Sequence, residues 1–445
     1  MRDIFIAFLV MCCVPAILFF PHLGVYAWSW ISYMNPHRLG YGFVSTWPVA
    51  EIVGIATLVA WVFSKEPKKL PMHTLLVLIM IFMAWISFTT WLSSDPALSD
   101  PKWDQTMKIL LFTLVTAGLI TTKNRLVGLI WIIVLSLGFY GAKGGVFTIE
   151  TGGQYHVWGP AGSFISDNNQ LAMALVMTIP LMRFLQMQSK ITLIRWGLGI
   201  GIGLTIFAIF GTQSRGALLA IIAMLGFLVL KSRRRAFALM ASVLAVVAAL
   251  VFMPQSWTNR MMTIDAYQKD QSAQGRIEMW KFALNIAEHN PVTGGSFMAF
   301  ANPKVQQKYL KPGIEPRAPH SIYFETLGEH GYVGLAIFLS ILIGAFYYGG
   351  RTIRLARGDP DLVWARDLGS MIQVSLVGYA VAGAFLNLAT FDLYYHLIAI
   401  IAITDLLVRT ALAHKNSEVP AKSDEGILTT MSPAVAKPKF TVLSR

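Results

Sequence analysis

The sequence predicts an all-α polytopic membrane protein of about 12 transmembrane helices, and three observations carry that expectation. Hydrophobic residues fill 55% of the 445 positions and charged residues only 13%, with a mean hydropathy of +0.57, far from the composition of soluble domains. Apolar runs of about 20 residues, the length that crosses a hydrocarbon core of about 30 Å, recur along the whole chain. Basic residues cluster in alternate links between those runs, as the positive-inside bias requires.

The first run covers 4–20; no small-residue cleavage site precedes Pro15, so it is expected to be a first span or uncleaved anchor. The next, at 22–34, is short and carries Trp28, Trp30 and Tyr33, which predicts an interfacial segment at headgroup level. Spans are then expected at 47–63, 72–92, 104–121, 125–142, 169–187, 192–211, 215–230 and 236–253, and, after a long polar segment, at 329–348, 368–386 and 391–409. The basic links hold Lys65, Lys68 and Lys69; Lys123 and Arg125; Arg183, Lys190 and Arg195; Lys231 to Arg235; and Arg351, Arg354, Arg357 and Arg366. These are expected to face the cytoplasm, with both termini on that side. Long loops escape the bias, so the polar segment is expected outside. The organisation is therefore transmembrane helices over 1–253, an outer loop with an amphipathic helix over 254–320, and further spans over 321–412. A disordered cytoplasmic tail is expected over 413–445, where Asn416, Ser417, Pro420, Lys422, Pro433 and Pro438 give a linker composition. The net charge of +13 comes mostly from the inside links, and it reports orientation and affinity for anionic lipid rather than for nucleic acid. Adjacent Cys12 and Cys13 within the first run make no disulfide framework.

Four segments converge on the outer side. In Gly211-Thr212-Gln213-Ser214-Arg215-Gly216, Arg215 offers a planar, permanently charged fork to a phosphate or carboxylate. A snorkelling anchor is the plainer reading, but the outer position breaks the charge bias, and Gly211, Ser214 and Gly216 let a bulky ligand approach. In Gly275 to Gly295, Ile277, Trp280, Leu284 and Ala287 recur at helical spacing, predicting an amphipathic helix on or above the membrane that stops at Asn290-Pro291. Arg276 falls in its expected first turn, where the helix dipole opposes a cation, so its placement calls for an anion; a salt bridge to a neighbouring glutamate is the alternative. In Arg317 to Gly334, Pro319-His320-Ser321 reads as a helix start. A histidine there, near arginines, is held neutral, the state a general base needs; a hydrogen-bonded structural histidine is the alternative. The fourth segment, Lys143-Gly144-Gly145 through Gly152–Gly162 to Asp167-Asn168-Asn169, is Gly-rich and polar. That composition suits a sugar-contacting loop and equally a merely flexible one.

Other chemistries lack their signatures: there is no HExxH, Walker loop or CxxC. The outer carboxylates, Asp95, Asp100, Asp104, Glu150, Asp167, Asp265, Asp270 and Asp392, are scattered, so no metal site is expected. No nucleophile elbow frames Ser214 for a hydrolase using His320. Span interiors offer little beyond Glu51 and Lys108, which argues against coupled transport.

At these residues the sequence resembles the O-antigen ligases within the Wzy-type superfamily of lipid-linked oligosaccharide polymerases, ligases and protein O-oligosaccharyltransferases. The features are Ser214-Arg215-Gly216, Arg276 with Trp280 and Pro291 to Gly294, and His320-Ser321 with Glu325, Gly331 and Gly334. The first hundred residues look like ligase-like members found with exosortase systems. The resemblance implies a cofactor-free, metal-independent, inverting glycosyltransferase with a GT-C-like fold, in the bacterial inner membrane with its site facing the periplasm. The implied donor is undecaprenyl-pyrophosphate-linked glycan and the acceptor a lipid A core hydroxyl. His320 would then take the acceptor's proton, while Arg215 and Arg276 hold the pyrophosphate, with Arg317 the rival for one arginine role. Trp280, Ser321, Lys143 and Asn168 are the expected substrate contacts, although Trp280 and the basic Arg260, Lys304, Lys308 and Lys311 suit lipid headgroups equally well. Repeat-unit polymerisation and transfer to protein hydroxyls share this logic, and a membrane transporter is the alternative from a different class. Oligomeric state, donor sugar and repeat number are left open.

Overall fold

A computed structural model describes residues 2–40, 42–232, 234–255, 257–258 and 271–418. Arg233, Arg260, Asp265, Asp270 and the tail from 419 onward lie outside the described residues. Among those described there are 15 α-helices and no strand. They are α1 (Arg2–Phe19), α2 (His22–Met34), α3 (Val49–Phe63), α4 (Thr74–Trp91), α5 (Pro96–Leu119), α6 (Lys123–Glu150), α7 (Asn168–Gln188), α8 (Thr192–Gly211), α9 (Arg215–Lys231) and α10 (Arg235–Phe252). After these come α11 (Gln271–His289), the short α12 (Pro303–Tyr309), α13 (Ile322–Leu355), α14 (Val363–Gly383) and α15 (Asp392–Glu418).

Each expected span coincides with a helix, and eight of the helices are long and apolar enough to cross a membrane. The other four, α3, α5, α9 and α14, are shorter or more polar; α5, for example, carries Asp100, Lys102, Asp104 and Lys108. α7 and α15 form the centre, with Leu171–Pro180 and Leu393–Ala402 buried along their whole length. Around them α6 packs on α8, and α14 packs on α7, α9 and α13. Small residues set the closest approach: a Cβ on Gly145 of α6 would lie 2.2 Å from the Leu204 carbonyl oxygen of α8, so the two backbones touch there.

Three expectations need correction. Segment 22–34 does not present its aromatic rings to headgroups: Val25, Trp28, Ile31 and Tyr33 are buried in protein, and Trp28 stacks on Phe112 with ring centroids 3.7 Å apart. Its aromatic rings fill the bundle. Lys143-Gly144-Gly145 is not loop, because α6 runs on to Glu150 and its glycines pack against α8. At the other end of the chain Asn416 and Ser417 complete α15 as helix rather than opening a tail.

Candidate active site

The stretch after α11 folds back on that helix and builds a small core of its own. Met279, Phe282, Ala283 and Ile286 bury against Ala299 and Phe300, with Val305 and Tyr309 of α12. The face α11 buries is therefore this i, i+3, i+4, i+7 line, and Leu284 is exposed. That face of the helix rests on protein, as the contact of Gly328 in α13 with Phe300 and Ala283 shows. It stops at His289, as Asn290-Pro291 predicts, but it is already helical at Gln271, so Arg276 does not lie in its first turn.

Inside α13 the backbone breaks at Gly331, with φ 69° and ψ −172°. The Pro291–Gly295 turn seats on that break. Tyr332 N donates to Pro291 O at 2.8 Å, and Gly295 N to Gly328 O at 2.8 Å. A Cβ on Gly331 would meet Val292 O at 2.4 Å, and one on Gly294 would meet Gly331 N at 2.6 Å. These contacts fix the first segment of α13, Ile322 to His330, and so fix what precedes it.

What precedes it is His320, a non-glycine residue at φ 46°, a backbone conformation that needs outside support. Trp280 supplies some: its indole Nε1 donates to Pro319 O at 2.8 Å and its ring stacks on Phe324 at 5.0 Å. The backbone N of Arg317 meets Met279 Sδ at 3.3 Å. Burial, and then the Arg276 guanidinium, lower the His320 pKa below its usual value, while Asp167 and Glu325 work the other way. Arg276, Asp167 and Glu325 thus all act on one half-buried imidazole. His320 lies one residue before the N-cap of α13, with its pKa lowered.

Arg215 opens α9 immediately after the N-cap Ser214, whose side chain accepts from Ala217 N. The turn before it is clamped from the loop between α6 and α7. Asn168 Nδ2 donates to Thr212 O at 2.7 Å, Val157 N to Gly211 O at 3.0 Å, and Gln213 Nε2 to Gly153 O at 3.2 Å. Gln213 is held at φ 54°. The same loop ends in Asp167, which caps α7 in a capping box with Gln170 and faces His320. A second route joins the two starts: Gly216 packs on Phe385, and at the same end of α14 Ile322 packs on Gly383 while Tyr323 Oη donates to Ala380 O at 2.9 Å. The Ala380–Phe385 corner is therefore flanked by Arg215 on one side and His320 on the other.

Comparison with known families bears on this geometry. Residues 200–339, which contain Arg215, Arg276, Trp280 and His320, match the model of the O-antigen ligase family. The match marks residues 200–339 as an O-antigen ligase-like region. Residues 1–190 match a family of unknown function, and none of the curated proteins compared matches the chain.

The remaining sequence candidates fall differently. Arg317 points to the surface, 53% exposed and paired with Glu315 at 2.5 Å. Ser321 is buried as the N-cap of α13 without a side-chain capping bond. Asn168 is a buried support of the Arg215 turn rather than an exposed contact. Lys143 is exposed on α6 and makes no hydrogen bond or ion pair with these residues. Among the described residues no cluster of potential metal ligands occurs.

Sequence reasoning missed the ion cluster under His320. Lys102 of α5 reaches Glu325 Oε1 at 2.8 Å and both Glu329 oxygens at 3.0 Å. Glu325 Oε2 also accepts from Ala389 N at 3.1 Å, and Glu329 Oε1 from Met298 N at 2.9 Å. Next to Glu329, His330 Nδ1 meets Thr89 Oγ1 at 2.7 Å. The spans thus hold more ionisable groups than Glu51 and Lys108, and those two form a pair of their own at 3.1 Å. Beside Glu325 opens a cavity of about 820 Å³, another feature that hydropathy does not reveal.

Proposed function

We propose that this chain transfers a glycan from undecaprenyl pyrophosphate to a hydroxyl of the lipid A core, with inversion and without a metal, on the periplasmic side of a bacterial inner membrane. The coarse role, a lipid-linked glycan ligase or polymerase type of enzyme, comes with the family. The observation that supports the finer reading is the half-buried His320, its pKa lowered by burial and by Arg276, set across the α14 corner from Arg215. In the reaction the acceptor oxygen bonds to the anomeric carbon as that carbon's bond to the pyrophosphate oxygen breaks. The acceptor's proton passes to His320, and the electron pair leaves with undecaprenyl pyrophosphate. Arg276 and Arg215 stabilise the charge gathering on that leaving group, the part a divalent cation plays elsewhere. A half-buried arginine loses less to water screening than a surface one, so removing one is expected to cost on the order of 3 kcal/mol of barrier.

The test is transfer in EDTA from purified undecaprenyl-pyrophosphate glycan to purified lipid A core by the wild type, His320→Ala and Arg215→Ala. Product from wild type alone supports the reading. Polymerised donor with unmodified core would move the assignment to a polymerase, and wild-type turnover by His320→Ala would remove the base.

A further inference from the structure

We infer that the cavity beside Glu325 is the acceptor's saccharide site, and that the first 190 residues therefore choose the acceptor. This rests on the proposed reaction and assigns its second substrate a place.

Position comes first. Glu325, which acts on His320, lines the cavity, and so do Ser166 and Gln170 on either side of the Asp167 cap. Neither Arg215 nor Arg276 lines it. A sugar in this cavity adjoins the imidazole and leaves both arginines to the pyrophosphate, the arrangement a displacement needs if acceptor and leaving group occupy different sides of the reacting carbon.

Charge gives the ligand class. Lys102 is taken up by Glu325 and Glu329, and Lys108 by Glu51 and Asp104 at 3.1 and 2.7 Å. Each of these lysines is already met by two carboxylates, so a pyrophosphate gains little from them. A hydroxyl-rich ligand gains more, because the side-chain amides of Gln105 and Asn387 line the space and make no hydrogen bond to another described residue. Amide groups with both donors and acceptors free match sugar hydroxyls. The volume, about 820 Å³, falls within the range of about 300–1,000 Å³ for small-ligand sites and admits a short oligosaccharide. At the rim Arg38 is exposed against Gly162, and its guanidinium makes neither hydrogen bond nor ion pair with another described residue. It is placed to meet an acidic substituent on the saccharide.

Origin of the walls gives the consequence. Arg38, Gln105 and Gln170 all precede residue 190 and lie in the region that matches a family of unknown function, whereas Arg276 and His320 lie in the ligase match. The chemistry belongs to one region and the acceptor's fit mainly to the other.

The experiment uses the full-length protein in lipid nanodiscs and, as probe, core oligosaccharide released from lipid A, with binding followed by saturation-transfer NMR. Wild type and Arg276→Ala are expected to bind it alike, while Gln105→Trp and Asn387→Trp, which fill the cavity, weaken binding at least tenfold. In the transfer assay the same two variants should raise KM for the lipid A core at least tenfold and leave kcat and donor KM unchanged. Arg38→Ala should weaken binding of phosphorylated oligosaccharide and spare the dephosphorylated form. Should the cavity variants fold, by size exclusion and thermal unfolding, and then bind and turn over like wild type, or raise donor KM instead, the inference is overturned. Oligosaccharide binding that is lost in Gln105→Trp, in a protein that transfers nothing, would keep the cavity assignment and sink the proposed reaction.

Discussion

Trp280 is the residue through which the backbone of the proposed base can be perturbed without touching the base. Its indole donates one hydrogen bond to Pro319 O, and its ring stacks on Phe324 with an interplanar angle of 10°. Next to that carbonyl, His320 sits at φ 46°, a conformation costing about 1–2 kcal/mol outside glycine. Trp280→Phe keeps the stack and loses the hydrogen bond, a net contribution of about 1 kcal/mol. Because the strained histidine then relaxes out of position, the loss is expected in kcat, about fivefold. Trp280→Ala also loses an aromatic pair that contributes about 0.5–1.5 kcal/mol, so its kcat is expected to fall roughly 30-fold. Steady-state transfer kinetics check this, with thermal unfolding as the control for folding and donor KM expected to stay put. Wild-type kcat in Trp280→Phe, or a loss appearing wholly in donor KM, would show that the indole contacts substrate or lipid rather than holding His320.

Acidification should remove activity, since the proposed base acts as the neutral imidazole and the His320 pKa is lowered. The kcat/KM profile is expected to be flat above that pKa and to fall as pH drops through it, with the limb below pH 6.5. Arg276→Ala should move the limb up and Asp167→Asn should move it down; a limb indifferent to both would detach it from His320. Gly331→Ala would place a Cβ 2.4 Å from Val292 O at φ 69°, so thermal unfolding should show a loss of more than about 2 kcal/mol, whereas Gly226→Ala, with nothing within 4 Å, should be near neutral. Lys102→Met leaves Glu325 and Glu329 buried without their cation, an expected loss of about 3–5 kcal/mol; adding Glu329→Gln should restore part of it, and denaturant unfolding of the two variants measures the difference.

The sequence made the spans and the order of the site residues legible for a simple reason: both are local. Apolar runs and Pro319-His320-Ser321 each state their structure within a few residues. The α11 face was misread because two registers satisfy the helical period, Ile277/Trp280/Leu284 and Met279/Phe282/Ile286, and only the neighbouring Phe300 and Gly328 decide between them. Lys143-Gly144-Gly145 was misread because glycines that permit helices to touch look the same in sequence as glycines that loosen a loop. Lys102 escaped notice because its partners lie 223 and 227 positions away, and the cavity because its walls come from α2, α3, α5, the 162–170 segment and the start of α13.

That long-range pairing bears on how the two matched regions work together. Arg215 and His320 both lie in the ligase match, yet neither is positioned by that region alone. Asn168, Val157 and Gly153 hold the turn that presents Arg215, and Lys102 ties down the helical segment that starts beside His320. All four supports precede residue 190, within the other matched family. A ligase region expressed alone would keep its histidine and arginines in sequence and lose the groups that aim them. It would also expose Glu325 and Glu329 without their lysine. Swapping the first 190 residues between relatives should therefore change turnover as well as acceptor choice, unless the exchanged segment brings its own equivalents of Asn168 and Lys102.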